Sequence, residues 1–167
     1  MGGIIKMTKN EEISAVSVPP IMDAALIARG ASRLFYRNGV AVQTEISLPN
    51  GRRTDLMGLN EKGEIIIVEI KSSLADLRGD QKWTEYLEHC DRFYWAVPVH
   101  LAAEISGNKH YIMGRCGLIV ADQYDAEIVH PAKLVPLSAA RRKADTKMLA
   151  HISMRRMMQL LDPKLTI

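Results

Sequence analysis

The stretch Glu64-Ile-Ile-Ile-Val-Glu-Ile-Lys71 carries its reactive groups at one end. In an extended strand Ile65, Ile67, Glu69 and Lys71 share a face, so two isoleucines give way to a carboxylate and an ammonium. Charges at the end of a buried strand need partners, because leaving one desolvated and unpaired is costly. A hairpin just upstream supplies a further carboxylate. Pro49-Asn50-Gly51 forms a three-residue turn, with proline presetting the first position and glycine taking the left-handed one. That turn sets Leu48 opposite Arg52, and Glu45 then falls opposite Asp55 on the same face. Two carboxylates about 4 Å apart repel by roughly 4 kcal/mol at an effective dielectric of about 20, which a cation between them relieves. With Glu69 the set becomes three oxygen donors, the chemistry of Mg²⁺ or Mn²⁺. The competing arrangement is structural. Glu69 would pair with Lys71 at the strand end, and Glu45 with Arg52 or Arg53.

The tripeptide acid-x-Lys is common and occurs also at Asp145-Thr146-Lys147 and Asp162-Pro163-Lys164. The first of these falls in an expected helix and the second at a proline break. Only Glu69-Ile70-Lys71 closes a buried strand, with Asp55 on the strand before it.

The elements that must position these residues follow from changes in hydrophobic period. Residues 1–18 are polar and mixed, a flexible segment ahead of one domain spanning 19–167. Pro19-Pro20 opens a helix to about Arg37 with Ile21, Ala24, Ala25, Ala28, Leu34 and Phe35 as its buried stripe, and Asn38-Gly39 stops it. From Val40 to Leu48 the period becomes two, with Val40, Val42, Ile46 and Leu48 pointing one way. The return strand covers Arg52 to Asn60. After the turn at Glu61-Lys62-Gly63 comes the third strand, apolar on both faces for most of its length. A helix from Ser72 to about Cys90 and a strand over Phe93–Val97 follow. A short helix near His100–Ile105, strands near Gly117–Ala121 and Ala126–Val129, and a long helix over Ala139–Leu161 complete the chain. This order defines an α/β sandwich, one mixed sheet with helices on its faces.

Composition narrows the function classes. The 167 residues are 47% hydrophobic and 25% charged, which excludes a disordered or collagenous chain. Apolar runs stay at strand length, far below the roughly 18 residues that span a bilayer. With no signal-peptide pattern at the start, a cytoplasmic location and no membrane partner are expected. Cys90 and Cys116 make no CxxC pair, which excludes a zinc ribbon and a disulfide framework. Only 5% of residues are aromatic, so composition offers no evident base-stacking platform. Charge is lopsided: residues 1–130 hold 14 basic and 17 acidic side chains, residues 131–167 hold 8 and 2. An acidic body thus carries a basic end, through Arg141, Arg142, Lys143, Lys147, Arg155 and Arg156.

Asp55, thirteen intervening residues and then Glu69-Ile70-Lys71 resembles the PD-(D/E)xK nuclease signature. The segments Gly51-Arg52-Arg53-Thr54-Asp55-Leu56, Val68-Glu69-Ile70-Lys71-Ser72-Ser73 and Lys82-Trp83-Thr84-Glu85-Tyr86-Leu87, with Cys90-Asp91-Arg92-Phe93 after them, are similar to the MmcB family of DNA-repair proteins. That similarity covers roughly residues 20–160. It implies a restriction-endonuclease-like fold with an αβββαβ core, and a Mg²⁺- or Mn²⁺-dependent nuclease acting on DNA in repair. Position by position, Asp55 and Glu69 would hold the metal, with the carbonyl of Ile70 as a further ligand. Lys71 would orient the attacking water and stabilise charge on the scissile phosphate, and Glu45 would be a supporting acid. Thr54 replaces the signature proline, and the first helix offers only Asp23 as the extra acid that relatives carry there. Gln81 stands one place out of register with Tyr86, and Lys82 holds the position that relatives give to glutamine. Four apart on a helix, Lys82 and Tyr86 would touch phosphate together, with Arg53, Arg155 and Arg156 as further substrate contacts. The alternative is a non-catalytic DNA-binding accessory that keeps the nuclease fold. A repair-protein partner or a homodimer would then supply recognition. RNA is a third substrate option.

Other candidates have plainer readings. His89 has no second ligand at useful spacing and reads as a helix-end histidine. Ser73 with Asp76 reads as a helix cap. Trp83 reads as core. Met148, Leu149, Ile152, Met157, Leu160 and Leu161 read as the packing stripe of the last helix.

Overall fold

Asp23 caps helix α1 (Ala24–Arg37), its carboxylate accepting from the Ala25 N–H at 3.1 Å, and Asn38-Gly39 ends it as expected. The structure, a computed structural model, describes residues 23–80, 82–108, 111 and 114–165. The expected flexible segment 1–18, the Pro19-Pro20 helix start, Ile21 and Gln81 lie outside the described residues. Strands β1 (Val40–Ser47), β2 (Arg53–Asn60), β3 (Ile65–Ile70), β4 (Arg92–Val97), β5 (Cys116–Ala121) and β6 (Ala126–His130) form one sheet in that spatial order. The first three and the last pair run antiparallel, while β3–β4 and β4–β5 are parallel. Parallel neighbours need crossovers. Helix α2 (Leu74–Gly79) and a 3₁₀ helix (Trp83–Glu88) make the first, and α3 (Val99–Ser106) lies in the second. Helix α4 (Ala139–Leu161) has the expected bounds. The mixed α/β sheet and its αβββαβ order are therefore as expected.

Two cores lie on the two faces of the sheet. One joins Ile27, Ala31 and Phe35 of α1 to Leu56, Val68 and Ile70. The other gathers Ile65, Ile67, Trp83, Phe93, Trp95 and Leu149. All six residues of β3 are buried, so it is a covered central strand. Helix α1 reaches its seat through Gly30, where a Cβ would lie 2.1 Å from the Asp122 carbonyl oxygen and 2.5 Å from that of Asp125. Among the described residues no helix is long and apolar enough to cross a membrane.

The expected helix from Ser72 to Cys90 divides. Ser73 caps α2 by accepting from the Asp76 N–H at 3.2 Å, as its spacing suggested. Six residues later the helix stops at Gly79, and the chain restarts as the 3₁₀ helix. In that tighter helix positions i and i+3 eclipse. Trp83 and Tyr86 are therefore the inward pair, while Lys82 precedes the helix and is exposed.

Behind the sheet Asp91 is fully buried and acts as a hub. Its carboxylate accepts from the Ile65 N–H at 2.7 Å, the Leu137 N–H at 2.8 Å and both terminal nitrogens of Arg142 at 2.7 and 2.6 Å. Burial disfavours its charge, but Arg142 and the two N–H groups outweigh that and hold it below the usual carboxylate range. Nearby, buried His89 pairs with buried Asp145 of α4 at 3.1 Å, a structural partner that spacing did not reveal.

The β1–β2 register follows the expected rule, from Val40↔Asn60 through Thr44↔Leu56 and again at Ile46↔Thr54 and Ser47↔Arg53. The missing rung is Glu45 against Asp55. Glu45 has φ +51°, left-handed backbone that a non-glycine residue seldom adopts. Its effect is visible on either side. Val40 packs in the α1 core, whereas Ile46 and Leu48 pack in the opposite one, so the four residues expected on one face divide between two. Arg156 of α4 holds the kink, donating to the carbonyls of Thr44 at 2.6 Å and Glu45 at 3.1 Å and to the Gln43 side chain at 3.0 Å. A left-handed non-glycine residue costs about 1–2 kcal/mol. Glu45→Gly is therefore expected to melt above Glu45→Ala by roughly 2–6 °C in calorimetry. An alanine variant melting at or above the glycine variant would show that the kink is not strained.

Candidate functional site

The β2–β3 ladder runs from Leu59↔Ile65 to Leu56↔Val68 and stops. Past that rung the Ile70 N–H donates to Asp55 Oδ2 at 2.7 Å, a side chain taking the bond at which the strands part. One step beyond Leu56↔Val68 the same register brings Asp55 beside Glu69. Glu69 is only 4% exposed, and burial above all pushes its carboxyl up to about 9. The charge of Asp55 and a hydrogen bond with it add to the rise. Lys71 and the Tyr86 hydroxyl act against it. Two adjacent carboxylates, one deeply buried, form a pair whose repulsion either a shared proton or a divalent cation relieves.

Lys71 lies two residues further along and is also buried. Its Nζ is 2.8 Å from Asp80 and 3.8 Å from Asp76, and stands 5.7 Å from the centre of the Trp95 ring. Burial opposes its charge, but Asp80, Glu69 and Asp76 together outweigh it and hold the ammonium above its ordinary range. Tyr86 is buried too, its hydroxyl donating to the Arg53 carbonyl at 3.0 Å. Burial and the Glu69 charge keep the phenol strongly protonated. This ring therefore faces inward on the side of Glu69, and the exposed Lys82 does not share its face. The shared-face expectation for Lys82 and Tyr86 rested on α-helical spacing, which the 3₁₀ helix replaces.

The structure thus joins Asp55, Glu69, Ile70, Lys71 and Tyr86 and leaves Glu45 outside. Its carboxylate turns to Arg53 at 3.3 Å. Among the described residues no group of three or more His, Cys, Asp or Glu side chains could hold a metal, which corrects the three-carboxylate expectation. The left-handed backbone at Glu45 is the reason, since it removes the rung that would have aimed this residue at Asp55. Arg52 has a bidentate pair with Glu85 at 2.7 and 2.9 Å.

Asp55 and Ile70 open into a cavity of about 420 Å³ between α1 and β1, shared with Arg29, Ser32, Thr44 and Glu45. Thr44 and Glu45 also line a second groove, of about 810 Å³, against Met154, Met157 and Leu160 of α4. The basic helix therefore ends against the edge strand beside Glu45. Its cations are not all available: Arg142 is held by Asp91 and Arg156 by β1, whereas Arg155, Lys143 and Lys147 are exposed. The packing stripe holds for Leu149, Met148 and Ile152 but not beyond, since Met157, Leu160 and Leu161 face outward. Sequence reasoning missed Asp80 and Arg29. Asp80 lies in the break between two short helices that periodicity read as one. Arg29 sits on the helix flank beside the buried stripe, which no pattern distinguishes from an ordinary solvated arginine.

A mixed α/β fold whose strands part beside an acid pair, one member buried and one half-buried, with a lysine two residues on, defines the class of this protein. The chain belongs to the MmcB-like DNA repair protein family, whose model matches residues 15–164. It is similar to a solved structure of a protein of unknown function from Silicibacter pomeroyi, with 40% identity and a TM-score of 0.77. The likeness covers 86% of this chain and 94% of that one. No curated protein matches.

The raised Glu69 sets a pH dependence. Its folded value of about 9 exceeds the ordinary 4.5, so the folded state binds the proton more tightly. This contribution is whole below pH 4.5 and is lost as pH rises through 9. In chelator, melting temperatures of wild type and Glu69→Gln are expected to diverge over that window, with wild type falling relative to the variant. Parallel curves would contradict the burial and repulsion assigned to Glu69.

Proposed function

We propose that the protein is a divalent-metal-dependent nuclease that hydrolyses DNA phosphodiester bonds in repair. The observation that carries this reading is the junction of Asp55 with Glu69 where β2 and β3 part, with Lys71 two residues on. Asp55 and Glu69 would hold Mg²⁺ or Mn²⁺, with the Ile70 carbonyl as a further donor. Mg²⁺ is commonly bound through one or two carboxylates and keeps several waters, so a two-carboxylate site suits it. The bound ion would polarise a phosphoryl oxygen and lower the pKa of a water.

The remaining groups have parts that need no ion to describe. Tyr86 lies beside Glu69 and favours its charged form, and Asp80 keeps Lys71 charged and in place. The Lys71 ammonium is suited to orienting a water and offsetting charge that builds on the phosphate. Glu45 lines the mouth of the cavity but is paired with Arg53, so it is given no part in the chemistry. The exposed Arg155 is available as a backbone contact.

Purified protein with Mg²⁺ or Mn²⁺ is expected to nick or trim DNA in a panel of branched, damaged, single-stranded and duplex substrates. Asp55→Asn and Lys71→Ala should each lose about 100-fold or more in rate, the scale of removing one preorganised electrostatic group, and EDTA should abolish cleavage. A panel left uncut with either metal, with wild type and Lys71→Ala binding DNA equally, would establish the accessory reading instead.

A further inference from the structure

The cavity that holds Asp55 does not end at α1. It shares Arg29 and Ser32 with a neighbouring cleft of about 530 Å³, which runs between α1 and the edge strand β1 past Arg33 and Tyr36 to Val40 and Val42. The two form one trough, about 16 Å along β1 from Glu45 to Val40. Its chemistry changes along its length. Asp55, the more open member of the acid pair, stands at one end with Glu45. Arg29 follows, exposed and without an ion pair or hydrogen bond among the described residues. Arg33 comes next, bonded to the carbonyls of Tyr124 at 2.8 Å and Gln123 at 3.5 Å, in no ion pair of its own though the Asp125 carboxylate feels its charge. Tyr36 stands at the far end and is 82% exposed. Arg37 differs, because it is paired with Asp125.

From this order we infer that the trough binds a single DNA strand, with phosphates on Arg29 and Arg33 and an unpaired base on Tyr36. The inference rests on the reading of Asp55 and Glu69 as the reactive centre and names the substrate class for it. A polyanion entering the trough past Tyr36 meets Arg33 and Arg29 before Asp55. A ring this exposed offers a face on which any unpaired base can stack, whereas bases in a duplex are already stacked on each other. The low aromatic content of the chain concealed this, since composition counts rings without showing where they stand.

Binding is measured in EDTA, by fluorescence anisotropy with a labelled single-stranded DNA, a hairpin duplex and the matching single-stranded RNA. Tyr36→Ala is expected to weaken single-stranded DNA about 10-fold, within the range for loss of one stacked base, and to leave the duplex within twofold. Arg29→Gln should weaken it and lower the slope of log affinity against log salt by about 0.7, the value of one lost phosphate contact on a single strand. Both side chains are exposed, and circular dichroism would verify that the variants fold. Unchanged single-strand affinity in Tyr36→Ala, or equal losses for single strand and duplex, would overturn the inference. Tighter, Tyr36-dependent binding of the RNA would overturn the assignment to DNA. Tyr36-dependent binding by a protein that cuts nothing would support the trough and overturn only the nuclease reading.

Discussion

Everything at the candidate site depends on two carboxylates being held side by side, Glu69 buried and Asp55 opening to a cavity. Asp55 and Glu69 come from adjacent antiparallel strands whose register leaves no choice about which residues meet. Their repulsion is sustained by the fold around it. The strand pairings, the cores on both faces and the Asp55 bond to the Ile70 N–H hold the two strands in place. A buried acid pushed up to about 9 keeps its proton at neutral pH, so a cation arriving between the two would have to displace that proton.

Around that pair the protein arranges its cations with economy. Lys71 is fixed by Asp80 and Asp76 and lies against Trp95, so it is placed before any substrate arrives. Such preorganisation is what makes a charge effective in a dry site. Arg142 and Arg156 serve the scaffold instead, one satisfying the buried Asp91 and the other the kink of β1. The basic excess of the last 37 residues, 8 cations against 2 acids, is therefore partly structural. Removing Arg142 would leave a buried carboxylate uncompensated, a loss of about 3–5 kcal/mol in comparable cases.

Much of the fold was legible because its signals are local. Period two marked the strands, Pro49-Asn50-Gly51 set the hairpin register, and Asn38-Gly39 and Ser73 marked helix ends. The meeting of Asp55 with Glu69 followed from the same alternation. What stayed hidden depends on contacts distant in sequence or on backbone that side chains do not advertise. Glutamate seldom adopts positive φ, so nothing in the sequence announced that Glu45 would kink β1 and leave the acid set. The break at Gly79 turned one expected helix into two short ones, exchanging the Lys82–Tyr86 pair for Trp83–Tyr86 and bringing Asp80 to Lys71. Likewise the His89–Asp145 and Asp91–Arg142 pairs span more than fifty positions, beyond the reach of any spacing rule.

Anomalous scattering from crystals soaked in Mn²⁺ tests most directly whether the acid pair is a metal centre. The expected result is one strong peak bonded to carboxylate oxygens of both Asp55 and Glu69, at about 2.0–2.3 Å, and absent from Asp55→Asn crystals treated alike. Well-ordered density for both carboxylates with no peak between them, at a pH high enough to deprotonate Glu69, would contradict it.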